Sequence, residues 1–210
     1  MRAAILLLFV LTACEADTIV LNSGISAGGS NSVTGANVLI TPHPVWATSD
    51  AKWISYDNTG YQGIVVPSSM ESPAASFYQD FYMTADTNRA VGDITVWADD
   101  TASVFLDGVL LFSRSLNLGS GCTADGIGCL PGHGVELAFD ILGDFGSKHT
   151  LQFDVFQQWG GPFGLMYSGT IELSDPPVSE TPEPASFGVI AAMLAGGAMV
   201  VRKRNASASK

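Results

Sequence analysis

The sequence predicts an all-β fold, a single antiparallel β-sandwich between two terminal segments that do not belong to it. Three observations lead there. Short runs that alternate apolar and polar residues recur through the middle of the chain, punctuated every few residues by Gly, Ser, Thr, Asn or Asp. No strong amphipathic helix interrupts them. The stretch between the ends, residues 17–173, has the size of one domain.

Residues 1–16 read as a signal peptide. Met1 and Arg2 form a minimal positive start, Ala3 to Leu11 are apolar, and Ala13-Cys14-Glu15-Ala16 puts small residues at cleavage spacing. Cleavage after Ala16 would leave Asp17 as the first residue. Leu11-Thr12-Ala13-Cys14 also resembles a lipobox, in which Cys14 would be acylated, so a membrane-anchored lipoprotein is the alternative.

The body is then taken in order. Asn22 to Gly35, rich in Gly, Ser and Asn, is expected to be an exposed loop. Phe77, Tyr78, Phe81 and Tyr82 mark a strand around Ser76 to Met83. Asp93 to Ala98 and Ala102 to Leu106 are strands joined by an Asp99-Asp100-Thr101 turn. Asp107-Gly108 is a two-residue hairpin signal that returns the chain through Val109 to Phe112. Connections this short predict an antiparallel meander of all three strands. In His149 to Trp159, Leu151, Phe153, Val155 and Gln157 share one face. In Phe163 to Leu173, Phe163, Leu165, Tyr167, Gly169, Ile171 and Leu173 share one face, and Met166, Ser168, Thr170 and Glu172 are expected to face out. Trp159-Gly160-Gly161-Pro162 is the tight connection between these two runs.

Charge narrows the function. Asp17 to Ala185 holds nineteen acidic residues against four basic ones, Lys52, Arg89, Arg114 and Lys148, a net charge of −15. Nucleic acid is excluded as a partner, because its binding rests on phosphate neutralisation by Lys and Arg. So acidic a body attracts cations and repels its own kind. Cys14 belongs to the signal, which leaves Cys122 and Cys129 as a pair in an exported chain, and a disulfide is the expectation. Six glycines surround that pair, from Gly119 to Gly134, so a staple suits the loop.

Residues 174–184 are Pro-rich and acidic, the composition of an extended linker. Residues 185–201 carry no charge and read as a transmembrane helix. At about 1.5 Å per residue this span reaches about 25 Å, at the short end of what crosses about 30 Å of hydrocarbon. Residues 202–210 follow, opening with Arg202, Lys203 and Arg204, a basic cluster that stays cytoplasmic and leaves the acidic domain outside. The order Pro182-Glu183-Pro184, short apolar helix, basic cluster closely resembles the PEP-CTERM sorting signal of Gram-negative bacteria. That resemblance implies an exosortase-type processing enzyme as a partner, the membrane as an intermediate anchor, and an association with exopolysaccharide and biofilm. The implied itinerary is export, anchoring in the inner membrane by the C-terminal helix, processing, then the cell surface or extracellular matrix.

The body has a second likeness. Trp46 to Ser55, Phe77 to Phe81, Ile94 to Gly108 and the strand after Gly164 together resemble galactose-binding-like jelly-roll modules. The Asp99-Asp100 pair is similar to that of PA14-type lectin sandwiches, where paired aspartates hold Ca²⁺. Two readings fit Asp99 and Asp100: caps of a turn, or Ca²⁺ ligands, since Ca²⁺ takes carboxylate oxygens. Two also fit Trp46, Trp53 and Trp159: core side chains, or aromatic faces that stack on sugar rings. Neither an H-E-x-x-H nor a Walker-type motif occurs, and the sequence singles out no catalytic residue. The expected function is a non-catalytic surface or matrix protein that binds extracellular polysaccharide, with Ca²⁺ as the one candidate cofactor. The alternative is a structural matrix protein without a specific ligand.

Overall fold

The computed structural model describes residues 17–115, 122, 126–143 and 146–174. The signal segment with Cys14, the PEP motif Pro182, Glu183 and Pro184, the apolar span and the cluster Arg202, Lys203 and Arg204 lie outside the described residues. No helix among the described residues is long and apolar enough to cross a membrane.

The described chain is built of strands. In order they are β1 (Asp17–Asn22), β2 (Gly29–Asn31), β3 (Gly35–Ala36), β4 (Val38–Leu39), β5 (Ile54–Ser55), β6 (Ala75–Tyr82), β7 (Arg89–Asp99), β8 (Thr101–Leu106), β9 (Val109–Phe112), β10 (Val135–Leu142), β11 (Lys148–Phe156) and β12 (Gly164–Ser174). One sheet runs β10-β7-β12-β5-β4 with β1 added to β12, and the other runs β3-β2-β6-β11-β8-β9. Every pairing is antiparallel. The two sheets enclose one core, as the all-β sandwich expectation requires.

Period-two patterning makes that core. Phe77 and Phe81 of β6, Ile94 and Val96 of β7, Leu151, Phe153 and Val155 of β11, and Leu165, Tyr167 and Ile171 of β12 all point inward and are buried. Burying each such side chain contributes about 1.5–3 kcal/mol. Phe153 and Tyr167 stack across the sheets at 4.7 Å between ring centroids. Tyr167 keeps its hydroxyl satisfied by donating to Gln79 Oε1 at 2.6 Å, so the inner face tolerates a phenol.

The predicted three-strand meander is only half present. β8 and β9 form the expected hairpin, with Asp107 and Gly108 at φ of 49° and 79°. β7 and β8 do not pair: β7 lies between β10 and β12, and β8 between β11 and β9, in the opposite sheet. Asp99-Asp100 is therefore a crossing between sheets and not a solvated turn. The cause is burial, because every residue from Ala98 to Val104 is buried and alternation stops there.

Two other expectations are corrected. Asn22 to Gly35 is not simply an exposed loop, because β2 pairs with β6 along the sheet edge. Asn31 organises it: its Oδ1 accepts from the backbone of Val33 and Thr34, and its Nδ2 donates to the Ala36 carbonyl. Met166 does not face out. A second apolar cluster of Ile40, Trp46, Ala47, Ala51, Trp53 and Cys129 covers the outer face of β12 at this end.

Candidate functional site

β7 ends where β12 begins, with Gly164 opposite Asp99, and β8 begins where β11 ends, with Phe156 opposite Thr101. The crossing and two loops thus meet at one end of the sandwich. A cleft of about 340 Å³ opens there, lined among others by His43, Trp46, Asp99, Asp100, Gln157 and Trp159.

Each wall has a local cause. His43 lies between Pro42 and Pro44, which keep that segment extended. The turn it starts closes with Trp46 N donating to the His43 carbonyl at 2.9 Å. Trp46 packs on Trp53 at 4.4 Å between centroids, and Trp53 Nε1 donates to the Ala47 carbonyl at 2.8 Å. The disulfide Cys122–Cys129 has formed, with 5.1 Å between its Cα atoms. It fixes the third wall: Cys122 and Leu130 line the cleft, and the Cys129 carbonyl accepts from Ala47 N at 2.7 Å. The fourth wall follows β11. Gly160 and Gly161, at φ of 78° and 149°, turn the chain back, and Gly161 pairs with Val66 through both backbone groups. That turn leaves Trp159 63% exposed beside the cleft.

The floor is acidic. Asp99 and Asp100 are each 5% exposed, and the peptide joining them is cis. Asp100 Oδ2 accepts from Gln158 N at 2.7 Å, and Asp99 Oδ1 lies 3.3 Å from Cys122 Sγ. Burial, and secondarily Asp100, push the Asp99 carboxyl up to about 9. At neutral pH Asp99 is therefore protonated in the free protein. Beside it, Gln157 Oε1, Gln158 Nε2 and Thr101 Oγ1 are buried and without a hydrogen-bond partner. Buried polar atoms are normally satisfied, and of these residues Gln157 lines the cleft, so its Oε1 marks a place where a ligand can supply the partner.

The structure brings together Asp99, Asp100, Trp46 and Trp159 of the sequence candidates, with the Cys122–Cys129 staple against them. Trp53 is corrected: at 3% exposed it belongs to the second apolar cluster and presents no face to a sugar. Trp46 lines the cleft but is 4% exposed and packs on Trp53 in a tilted pair. Trp159 is the candidate whose indole is open. Sequence patterning did not single out Gln157 for binding, although Gln157 and Gln158 are two buried polar residues directly after β11.

Two other constellations fall away from chemistry. Gly24-Ile25-Ser26-Ala27-Gly28 has the G-x-S-x-G spacing of a nucleophile elbow. Ser26 Oγ instead donates to the Val20 carbonyl at 3.1 Å and accepts from Asn22 N at 2.8 Å, in a turn after β1. Ser147, His149 and Asp107 are linked at 2.9 Å and 2.8 Å in the order of a catalytic triad. His149 is 2% exposed and stacks on Phe81, while Asp107 is the open member, the reverse of what a substrate approaching the serine needs.

No family model matches this chain, and no curated protein matches it. Among solved structures it is similar to a family 35 carbohydrate-binding module from Clostridium thermocellum, at 10% identity and a TM-score of 0.38, over 74% of this chain and 98% of that one. It is similar to a family 35 module from Paenibacillus barcinonensis at 12% identity and a TM-score of 0.34, over 76% and 99% of the two chains. It is also similar to an adhesin domain of Lys-gingipain from Porphyromonas gingivalis at 11% identity and a TM-score of 0.39, over 77% and 99%. These are loose likenesses and carry nothing about the cleft.

Proposed function

We propose that this chain is a non-catalytic polysaccharide-binding sandwich of the bacterial surface or extracellular matrix. The observation that carries the proposal is the exposed indole of Trp159 beside a cleft floored by Asp99, Asp100 and the unpaired Gln157 Oε1. An indole face suits the apolar C–H face of a sugar ring, and the buried oxygens orient its hydroxyl donors. A glycan array probed with the wild-type chain and with Trp159→Ala, each with and without EGTA, tests it. Binding that the substitution abolishes is expected, and no binding by the wild-type chain under either condition sinks the idea.

Ca²⁺ fits the donor set in kind. Asp99, Asp100 and Gln157 would hold it through hard oxygens, and the sulfurs nearby are committed to a disulfide. Its chemistry would be to bind sugar hydroxyls at its remaining positions. Loss of binding in EGTA, restored by added Ca²⁺, is the sign of that arrangement.

Delivery is the second part of the proposal. The order of Pro182-Glu183-Pro184, an uncharged span and Arg202-Lys203-Arg204 supports export, anchoring by the tail and processing by an exosortase-type enzyme. Intact-mass spectrometry of the mature protein tests both ends. A chain starting at Asp17 and ending near Pro184 is expected. A lipidated Cys14 or an intact Lys210 contradicts the corresponding end.

A further inference from the structure

We infer that the cleft takes a sugar bearing a protonated amine, so that the ligand class is an amino-sugar polysaccharide with free amino groups. The inference rests on the glycan site proposed above and adds the identity of the group on the acid pair. An ammonium group has three N–H donors and needs three acceptors. The cleft offers that number of oxygen-bearing side chains, Asp99, Asp100 and Gln157, each at least nine-tenths buried. Ca²⁺ takes six to eight oxygens, and these three side chains leave it short.

The electrostatics point the same way. Among the described residues, no Lys or Arg lines the cleft. Asp99 and Asp100 sit side by side out of water and cannot both ionise in the free cleft, so a positive charge placed between them lets the second carboxyl give up its proton, which a neutral hydroxyl does not. Gln157 is the independent sign of a ligand: it is 2% exposed, lines the cleft, and its Oε1 has no partner. Trp159 separates a sugar from other amines. One pyranose ring carries both an apolar face for the indole and an equatorial amine at its edge, whereas a lysine side chain has no such face. The acidic body adds long-range attraction for a polycation. A polyuronate, by contrast, meets only like charge.

Calorimetric titration of the full chain at pH 6 with oligomers of glucosamine, N-acetylglucosamine, glucose and glucuronate tests this, with a lysine-rich peptide as a further arm. Glucosamine oligomers are expected to bind about tenfold tighter than the other three, because charge-assisted hydrogen bonds are about twice as strong as neutral ones. That margin is expected to vanish in Asp99→Asn and to shrink as salt rises. Glucosamine binding is expected to persist in EGTA, and its loss there, restored by Ca²⁺, overturns the amine in favour of an ion on the same oxygens. Trp159→Ala, an exposed change that leaves the fold alone, is expected to weaken the glucosamine and N-acetylglucosamine oligomers alike. Equal affinity for the glucosamine and N-acetylglucosamine oligomers overturns the amine and leaves the glycan site standing. Equal affinity for the peptide, with the same dependence on Asp99, overturns the sugar. No binding in any arm overturns both.

Discussion

Asp99 is the residue whose chemistry is most displaced from the ordinary. In an unfolded chain an aspartate titrates at about 3.9, and in the cleft burial and Asp100 push it up to about 9. Between those values the folded chain holds a proton that the unfolded chain has released. The contribution of Asp99 to stability therefore falls as pH rises from about 4 to about 9, by at most about 1.4 kcal/mol per pH unit. A melting temperature that declines from pH 5 to pH 8, and a flatter and higher profile for Asp99→Asn, are expected in thermal denaturation. A wild-type profile that climbs over that range contradicts the account of the acid pair. The tryptophans make the complementary contrast. Trp53→Ala empties the second apolar cluster and should cost about 3–5 kcal/mol in urea denaturation. Trp159→Ala should cost less than about 0.5 kcal/mol. A destabilising Trp159→Ala would mean that the indole is packed and not presented.

At the scale of elements, the cleft depends on parts that the strands do not hold. Cys122–Cys129 ties down a loop whose backbone grips both the crossing and the tryptophan segment: the Gly128 carbonyl accepts from Ala98 N at 3.2 Å and the Cys129 carbonyl from Ala47 N at 2.7 Å. Cys129→Ser, or reduction, should lower stability by about 2–3 kcal/mol. It should also weaken glycan binding, because the wall beside Asp99 loses its anchor. Unchanged affinity after reduction would confine the disulfide to stability. The elements also show where the sequence could be read. β6, β11, β12 and the β8–β9 hairpin are legible because burial on one face leaves a period of two, and Asp-Gly allows the two positive φ angles. Asp99-Asp100 is not legible as a crossing, because two acidic residues between strands read the same whether water or protein surrounds them. Trp46 to Trp53 has no periodicity, so its packing over Met166 is invisible until the sheet is in place.

Residues 17–174 form an acidic sandwich with its candidate site residues gathered at one end. That gathering follows from antiparallel register, which puts the end of β7, the start of β8, the end of β11 and the start of β12 side by side. Asp99, Asp100 and Trp159 were visible as candidates in the sequence, but the acid pair and Trp159 lie more than fifty positions apart in the chain. Their convergence with Gln157 is a property of topology alone. The charge of residues 17–185, −15 from nineteen acidic and four basic residues, keeps such molecules apart and draws cations toward the cleft. The central claim is that this cleft holds a polysaccharide against Trp159. Affinity electrophoresis of the wild-type chain and Trp159→Ala through gels cast with the exopolysaccharide of the producing cells tests it most directly. Retardation of the wild-type chain, lost in a Trp159→Ala chain of unchanged melting temperature, is the predicted result. Equal mobility of the two chains with and without polysaccharide would contradict it.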